Sequence, residues 1–404
     1  MKKLAIKLLV TSIALITISD LLRDINVISI MVARITWVLS IITFVFTFIY
    51  LLSDACEKYK AFRIIFWLFL SYSIILIIRG FSSPTIDITS TFRESHVFWS
   101  YIIPLAVFFD KRLFSIILLF RIIYIFGIIF LVIAIVYPQA LFDLLISPRI
   151  ISVFAIGCGF LLMNARYFNN RRAFIAFIVL IIALLNYIYL ARRSATFTVG
   201  SLIMASYFLS FGDKSKKIIF KLFPVIIVVT GTIFYLDSSS SALKKRMNER
   251  LFEDTRTELY DTFFLQSDEF FFFGKGMNGT YYYPMDESVQ EDGVVFNDVV
   301  YRNVIENGYL QLLLTGGVIN IVLFLSVLLP GAIIGIFKSK NQFTKSCGLI
   351  VFLWLIDMFF YGMPGLSIHY LIVWISVGVC YTPDIIKKSD RQLIQEFDEY
   401  KFGS

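Results

Sequence analysis

Charged residues are scarce in this chain, 16% of 404 residues against 58% hydrophobic ones, and that scarcity excludes a water-soluble globule for most of its length. Cysteine is nearly absent as well. Cys56, Cys158, Cys347 and Cys380 stand apart at apolar or loop-edge positions, without metal or redox spacing, so neither a disulfide nor a metal centre is expected. No small-residue cleavage site follows the basic and apolar start MKKLAIKLLV, which therefore reads as an uncleaved first span. No room is left for a separate soluble catalytic domain. Histidine occurs twice, at His96 and His369, both near the ends of apolar runs, where they line a site or merely sit at a membrane interface.

What the chain has is a succession of apolar runs, with a mean hydropathy of +0.80. Runs of ~15 to 25 residues suit helices crossing a bilayer core of about 30 Å, whereas barrel strands would be about ten residues long with alternating polarity. The fold class is an all-α polytopic membrane protein, a single integral domain over residues 1–404. Candidate spans cover residues 5–22, 36–53, 62–79, 96–109, 113–137, 150–165, 173–190, 195–211, 218–236, 308–337, 346–361 and 366–382. That makes twelve. The fourth is short and holds Pro104, and the apolar stretch 25–33 ahead of the second dips towards the membrane or does not, so eleven and thirteen stay open.

The net charge of +8 would suggest nucleic acid in a soluble protein, but here the basic residues sit in short loops, the positive-inside pattern. No nucleic-acid partner is expected. With the N-terminus cytoplasmic, the basic loops 56–63, 110–112, 166–172, 212–221 and 338–345 and the tail 387–392 fall inside. Residues 81–95, 138–149 and a large loop over 237–305 then fall outside, together with the turn Ala191, Arg192, Arg193, Ser194. Two adjacent arginines on the outer face break the rule. Either they hold an anion, for which guanidinium forks are suited, or they snorkel to lipid headgroups.

The outer loop opens on the serine run 238–241, capping chemistry for a helix starting near Ala242 and free of Gly and Pro to about Gln266. Arg246 and Arg250 share a face, with Glu249, Glu253 and Asp254 as nearby partners; Arg256 and Tyr260 follow. A basic stripe across the outer mouth and a solvated face stitched by ion pairs are both consistent with this pattern. The aromatic run 270–273 leads into Gly274, Gly276 and Gly279, whose spacing is not that of a nucleotide-binding loop. Its aromatics stack on sugars or anchor the loop at headgroup level. Residues 286–298 are acidic, and either meet sugar hydroxyls or a cation or form a solvated loop. Asn303 and Glu306 have capping-box spacing for the next helix; alternatively Glu306 is a general base beside the loop arginines. Arg79 ends the third span and can join an anion site. Asp357 lies inside the eleventh, where a carboxylate is costly and functional by default or paired within the bundle.

These features together resemble the O-antigen polymerase and O-antigen ligase superfamily. The resemblance rests on about twelve spans, a large outer loop before a late span, Arg256 followed by Gly274, Lys275 and Gly276, and the helix-start motif. Family ligases show His, then Asn, Ser or Gln, nine residues and Gly; here Glu306, Asn307, nine residues and Gly317 keep the spacing with Glu for His. That departure points to polymerase before ligase. The Arg-x10-Gly motif of some polymerases is absent, since positions 203, 204 and 267 are Ile, Met and Ser.

The resemblance implies a GT-C-like glycosyltransferase of the cytoplasmic (inner) membrane, acting on its outer face. It implies inverting, metal-independent and cofactor-free transfer from an undecaprenyl-diphosphate-linked oligosaccharide. Arg192 or Arg193 and Arg256 would hold the diphosphate, aided by Arg250 and Arg79. Glu306 would act on the acceptor hydroxyl, with Asn307, Tyr309, Tyr260 and His96 as sugar or acceptor contacts. The bilayer, a flippase and a chain-length regulator would be its partners. A flippase or other transporter is the reading from another class, but transporters often carry internal repeats, and the two halves show no convincing similarity.

Overall fold

The apolar runs become helices because no other open structure satisfies its backbone without water. The computed structural model describes residues 2–24, 28–52, 59–81, 98–109, 113–137, 146–168, 170–190, 192–209, 257–284, 294–296, 299–363 and 365–402. Its helices are α1 (Lys2–Asp24), α2 (Ile30–Leu52), α3 (Lys60–Phe81), α4 (Phe98–Ile102), α5 (Leu113–Val136), α6 (Ile146–Met163), α7 (Asn170–Tyr189) and α8 (Arg193–Leu209). They continue with α9 (Thr257–Leu265), α10 (Gly308–Ile333), α11 (Gln342–Asp357), α12 (Ile368–Cys380), α13 (Pro383–Lys387) and α14 (Asp390–Phe402). α4 runs on into a 3-10 turn, Ile103–Phe108, at the expected Pro104.

Among the described residues, five stretches are long and apolar enough to cross a membrane: Ile30–Leu51, Lys60–Phe81, Leu119–Val136, Asn170–Tyr189 and Gly308–Lys338. Shorter apolar helices, among them Phe98–Phe108, Ser194–Leu209 and Ile368–Cys380, accompany them. The molecule is an α-helical membrane protein. The stretch expected as the ninth span, 218–236, lies outside the described residues.

One aromatic-rich core joins the helices. Trp374 of α12 stacks on Phe69 of α3 at 5.9 Å between centroids and meets Phe324 of α10 edge-on at 6.0 Å. α11 packs against α8, α10 and α12, and α3 packs along α10. At one end of the bundle, Asp390 of α14 accepts from Arg166 Nη1 at 2.8 Å, from the Tyr167 hydroxyl and from the Gln342 amide at 2.7 Å. That end carries Lys338, Lys340, Lys345, Lys387 and Lys388 as well. Burial and the Asp390 carboxylate push the Tyr167 hydroxyl pKa well above its usual value. The end of α3, the α7–α8 turn, the start of α10 and the end of α11 gather at the opposite end.

The segment ahead of α10 departs from the sequence reading. Of the helix expected from about Ala242 to Gln266, residues 242–256 lie outside the described residues and the rest is helical as α9, while the stretch beyond it forms a three-stranded antiparallel sheet. β1 (Tyr281–Pro284), β2 (Val294–Phe296) and β3 (Val299–Arg302) lie in the order β1-β3-β2. Its tyrosines and valines favour strands, but runs of three or four residues without period-2 alternation gave the sequence reading no strand pattern to find. Phe263, Phe270, Tyr281, Ile305, Leu313 and Leu314 form a separate small core that seats this segment on α10. Burying each such side chain stabilises the seat by roughly 1.5–3 kcal/mol.

Candidate functional site

The expected continuous span 308–337 is a broken helix. Gly317 inside α10 has φ 65° and ψ −170°, and the break leaves carbonyls on one side and amides on the other without their helical partners. A strap of backbone, residues 271–276, replaces those partners pair by pair. Val318 N donates to Phe271 O at 2.8 Å and Ile319 N to Phe272 O at 3.5 Å. In return Lys275 N donates to Leu314 O at 2.7 Å and Gly276 N to Thr315 O at 2.8 Å. Gly316 O is taken by the Tyr72 hydroxyl at 2.7 Å. Irregular backbone is tolerated in a membrane protein only where protein groups satisfy it, and here they do so one for one.

Glycines make this approach possible. Gly274 and Gly276 have φ of 62° and 90°, and a Cβ on Gly317 would lie 2.2 Å from the Phe272 carbonyl carbon. Arg79 pins the strap from the α3 side. Its Nη1 donates to Phe273 O at 2.6 Å and its Nη2 to Gly274 O at 2.7 Å. Below the strap, Leu76, Tyr101 and Met277 pack together, and the Tyr101 hydroxyl donates to Thr315 Oγ1 at 2.8 Å.

The start of α10 corrects the capping-box reading. The N-cap is Asn307, whose Oδ1 accepts from Tyr309 N at 3.0 Å and Leu310 N at 3.2 Å. Asn303 lies ahead of the helix, where its carbonyl accepts from Gln311 Nε2 at 3.0 Å, while Gln311 Oε1 accepts from Ile305 N at 2.8 Å. Glu306 therefore precedes the cap and is exposed, at the positive end of the helix dipole, which favours a carboxylate. Asn307 Nδ2 donates to Phe359 O at 3.0 Å, and Tyr309 donates its hydroxyl to Leu355 O at 2.7 Å. Gly308 N donates to both Met358 O and Tyr361 O at 2.8 Å.

That docking brings the Glu306 motif against the end of α11, where Asp357 is 7% exposed. Thr198 of α8 donates its hydroxyl to Asp357 Oδ1. Tyr187 of α7 lies in electrostatic range of Tyr361, Asp357 and Arg192. The turn that carries Arg192 is fixed by its own backbone: Arg192 N donates to Tyr187 O at 2.9 Å, and Thr196 N donates to Arg192 O at 3.0 Å. The loop after α11 then reaches the backbone that carries Glu306, since a Cβ on Gly362 would lie 2.9 Å from Ile305 O and 3.9 Å from Glu306 Cα. A cation, a buried carboxylate and two phenols thus meet at one end of the bundle, with the exposed Glu306 carried by the adjoining backbone. Such a set can hold an anion and move a proton.

Arg192, Glu306, Asn307 and Tyr309 are therefore brought to one region, with Asp357 among them. Arg79 is not in it; it holds the strap. Tyr260 sits on α9, half-buried against the small core with Phe263. Arg193 begins α8, but its side chain, like Arg250, Arg256 and His96, lies outside the described residues. Tyr187, Thr198 and Tyr361 were missed in the sequence. Their signal was polarity at the ends of apolar runs flanking Arg192 and following Asp357.

The fold and this polar end define an integral membrane protein with a built cluster at one face. No family model, curated protein or solved structure matches the chain.

Proposed function

We propose that the chain is a polymerase of lipid-linked oligosaccharide repeat units, a twelve-span enzyme of the bacterial cytoplasmic membrane with its site on the outer face. The observation that carries this reading is the meeting of the Arg192 turn, Asp357 and the Glu306–Asn307 helix start through the loop 357–362. The basic opposite end agrees with a cytoplasmic location for α13 and α14.

In this reaction the acceptor hydroxyl attacks the anomeric carbon of the donor with inversion. The new glycosidic C–O bond forms as the bond to the diphosphate breaks, and undecaprenyl diphosphate leaves with both electrons. Arg192, Arg193, Arg256 and Arg250 stabilise its charge, work that positioned cations do well in a water-poor site. Glu306 accepts the hydroxyl proton. Asn307 and Tyr309, whose polar atoms hold the helix start and α11, position Glu306.

The test is purified protein in nanodiscs with a synthetic undecaprenyl-diphosphate oligosaccharide, without metal or nucleotide sugar, and with products weighed by mass spectrometry. A ladder of repeat-unit multiples with released undecaprenyl diphosphate is expected. A single transfer only to added lipid A core would make it a ligase. No conversion, with substrate crossing a proteoliposome bilayer, would make it a transporter.

A further inference from the structure

The strap turns a run of large apolar side chains outward. Phe272 is 64% and Phe273 62% exposed, and Phe271 beside them is also exposed. They have no inward alternative, because the strap backbone lies in contact with Gly316 and Gly317 on α10 and with Arg79 and Gly80 on α3. An exposed aromatic patch on one side of a fold marks an interaction surface. What meets it follows from where it sits.

Val318, which donates to Phe271 O, is one helical turn before Val322, and the exposed apolar face of α10 continues through Leu329 and Ile333. On α3 the exposed residues Ile74, Ile75 and Ile78 lead up to Arg79, which holds Phe273 O. Both are membrane-length apolar helices, so the three phenylalanines cap the lipid-facing stripes of two spans. Polar groups begin at once beside them. Lys275 Nζ pairs with Glu269 at 3.1 Å and lies 5.0 Å from the Phe270 ring centre.

We infer that Phe271, Phe272 and Phe273 insert into the bilayer at the boundary of headgroups and acyl chains, so that the strap is a lipid-binding finger and not a sugar-stacking platform. The continuity of the patch with the exposed apolar faces of α3 and α10 favours lipid over glycan. Aromatic side chains collect at this depth, and apolar area buried there gives the hold. This inference goes beyond the polymerase reading and stands whatever reaction the polar cluster performs.

The test places the photo-reactive amino acid benzoylphenylalanine at position 272, at 273 and, as a control, at Glu269, whose side chain is 70% exposed. The full chain is held in nanodiscs of phosphatidylethanolamine and phosphatidylglycerol, irradiated and weighed intact. Phospholipid-mass adducts several-fold more abundant at 272 and 273 than at 269 are expected. Equal adducts at all three positions, a protein–protein cross-link in their place, or no lipid adduct at both 272 and 273 in monodisperse protein would overturn the inference. A glycan adduct at 272 or 273 when the oligosaccharide substrate is added would overturn it in favour of sugar stacking.

Discussion

Gly274 and Gly316 touch backbone to backbone: a methyl group on Gly274 would lie 2.3 Å from the Gly316 amide nitrogen. Two segments that cross this closely admit no side chain. At Gly317, the Ala substitution forces a left-handed φ, which costs a non-glycine residue about 1–3 kcal/mol, and adds a collision with the Phe272 carbonyl. Gly317→Ala is therefore expected to destabilise by more than that range, read as a lowered thermal midpoint in detergent. Gly200→Ala is the contrast, since nothing lies within 4 Å of its Cβ position. It should leave stability unchanged or raise it by up to ~1 kcal/mol.

Arg79 makes two charge-assisted bonds to one turn of backbone. Such bonds contribute about 1.5–3 kcal/mol each, less where water reaches them. Arg79→Ala should speed amide exchange at Lys275, Gly276 and Met277 while α6 and α7 keep their protection. Arg79→Lys should restore only part of it, because an ammonium cannot fork to two carbonyls. Unchanged exchange in Arg79→Ala would mean that the glycine contacts hold the strap unaided.

Glu306 and Asn307 separate chemistry from architecture. Asn307→Ala removes the cap of α10 and is expected to cost about 1 kcal/mol; Asn307→Asp keeps the cap but loses the donor to Phe359 O, so it should restore only part of the loss. Glu306 lies ahead of the cap, so Glu306→Gln should change stability by less than ~0.5 kcal/mol. Its transfer rate should fall by ~10² or more if it accepts the proton. A fully active Glu306→Gln variant would remove Glu306 from the mechanism.

Asp357→Asn keeps an oxygen that can accept from Thr198 and removes only the charge. It is expected to be present in the membrane at normal level and deficient in polymer. Thr198→Val strips the hydroxyl from a buried carboxylate and should instead lower the thermal midpoint, by roughly 1–3 kcal/mol of stability. Normal polymer from Asp357→Asn would reduce Asp357 to a packing role.

The apolar runs announced their helices closely, because hydrophobicity over a bilayer's thickness is a local property of the chain. α5 and α7 begin and end within a few residues of the stretches read from sequence. What escaped was decided at a distance. Gly317 read as the last position of the Glu306 motif inside a continuous span 308–337, and the carbonyls of Phe271 and Phe272 and the amides of Lys275 and Gly276 satisfy the break there. Asn303 and Glu306 had the right spacing for a capping box, but Asn307 competes better, since its amide also reaches Phe359 O. Arg79 looked like one more arginine for an anion until its fork met the strap. Of the site, Arg192, Glu306 and Asp357 were visible as polar residues out of place, while Tyr187 and Thr198 gain meaning only from the carboxylate that another helix brings.

The strap has a consequence for biosynthesis. A ribosome delivers α3 first, the strap second and α10 third, yet the carbonyls of Phe271 and Phe272 and the amides of Lys275 and Gly276 all find their partners in the third. Until α10 is threaded into the bilayer these groups have only water to bond, so the strap stays open until its successor arrives. Closure of the strap is then a late checkpoint in assembly, passed only by a molecule whose last spans have been inserted the right way round.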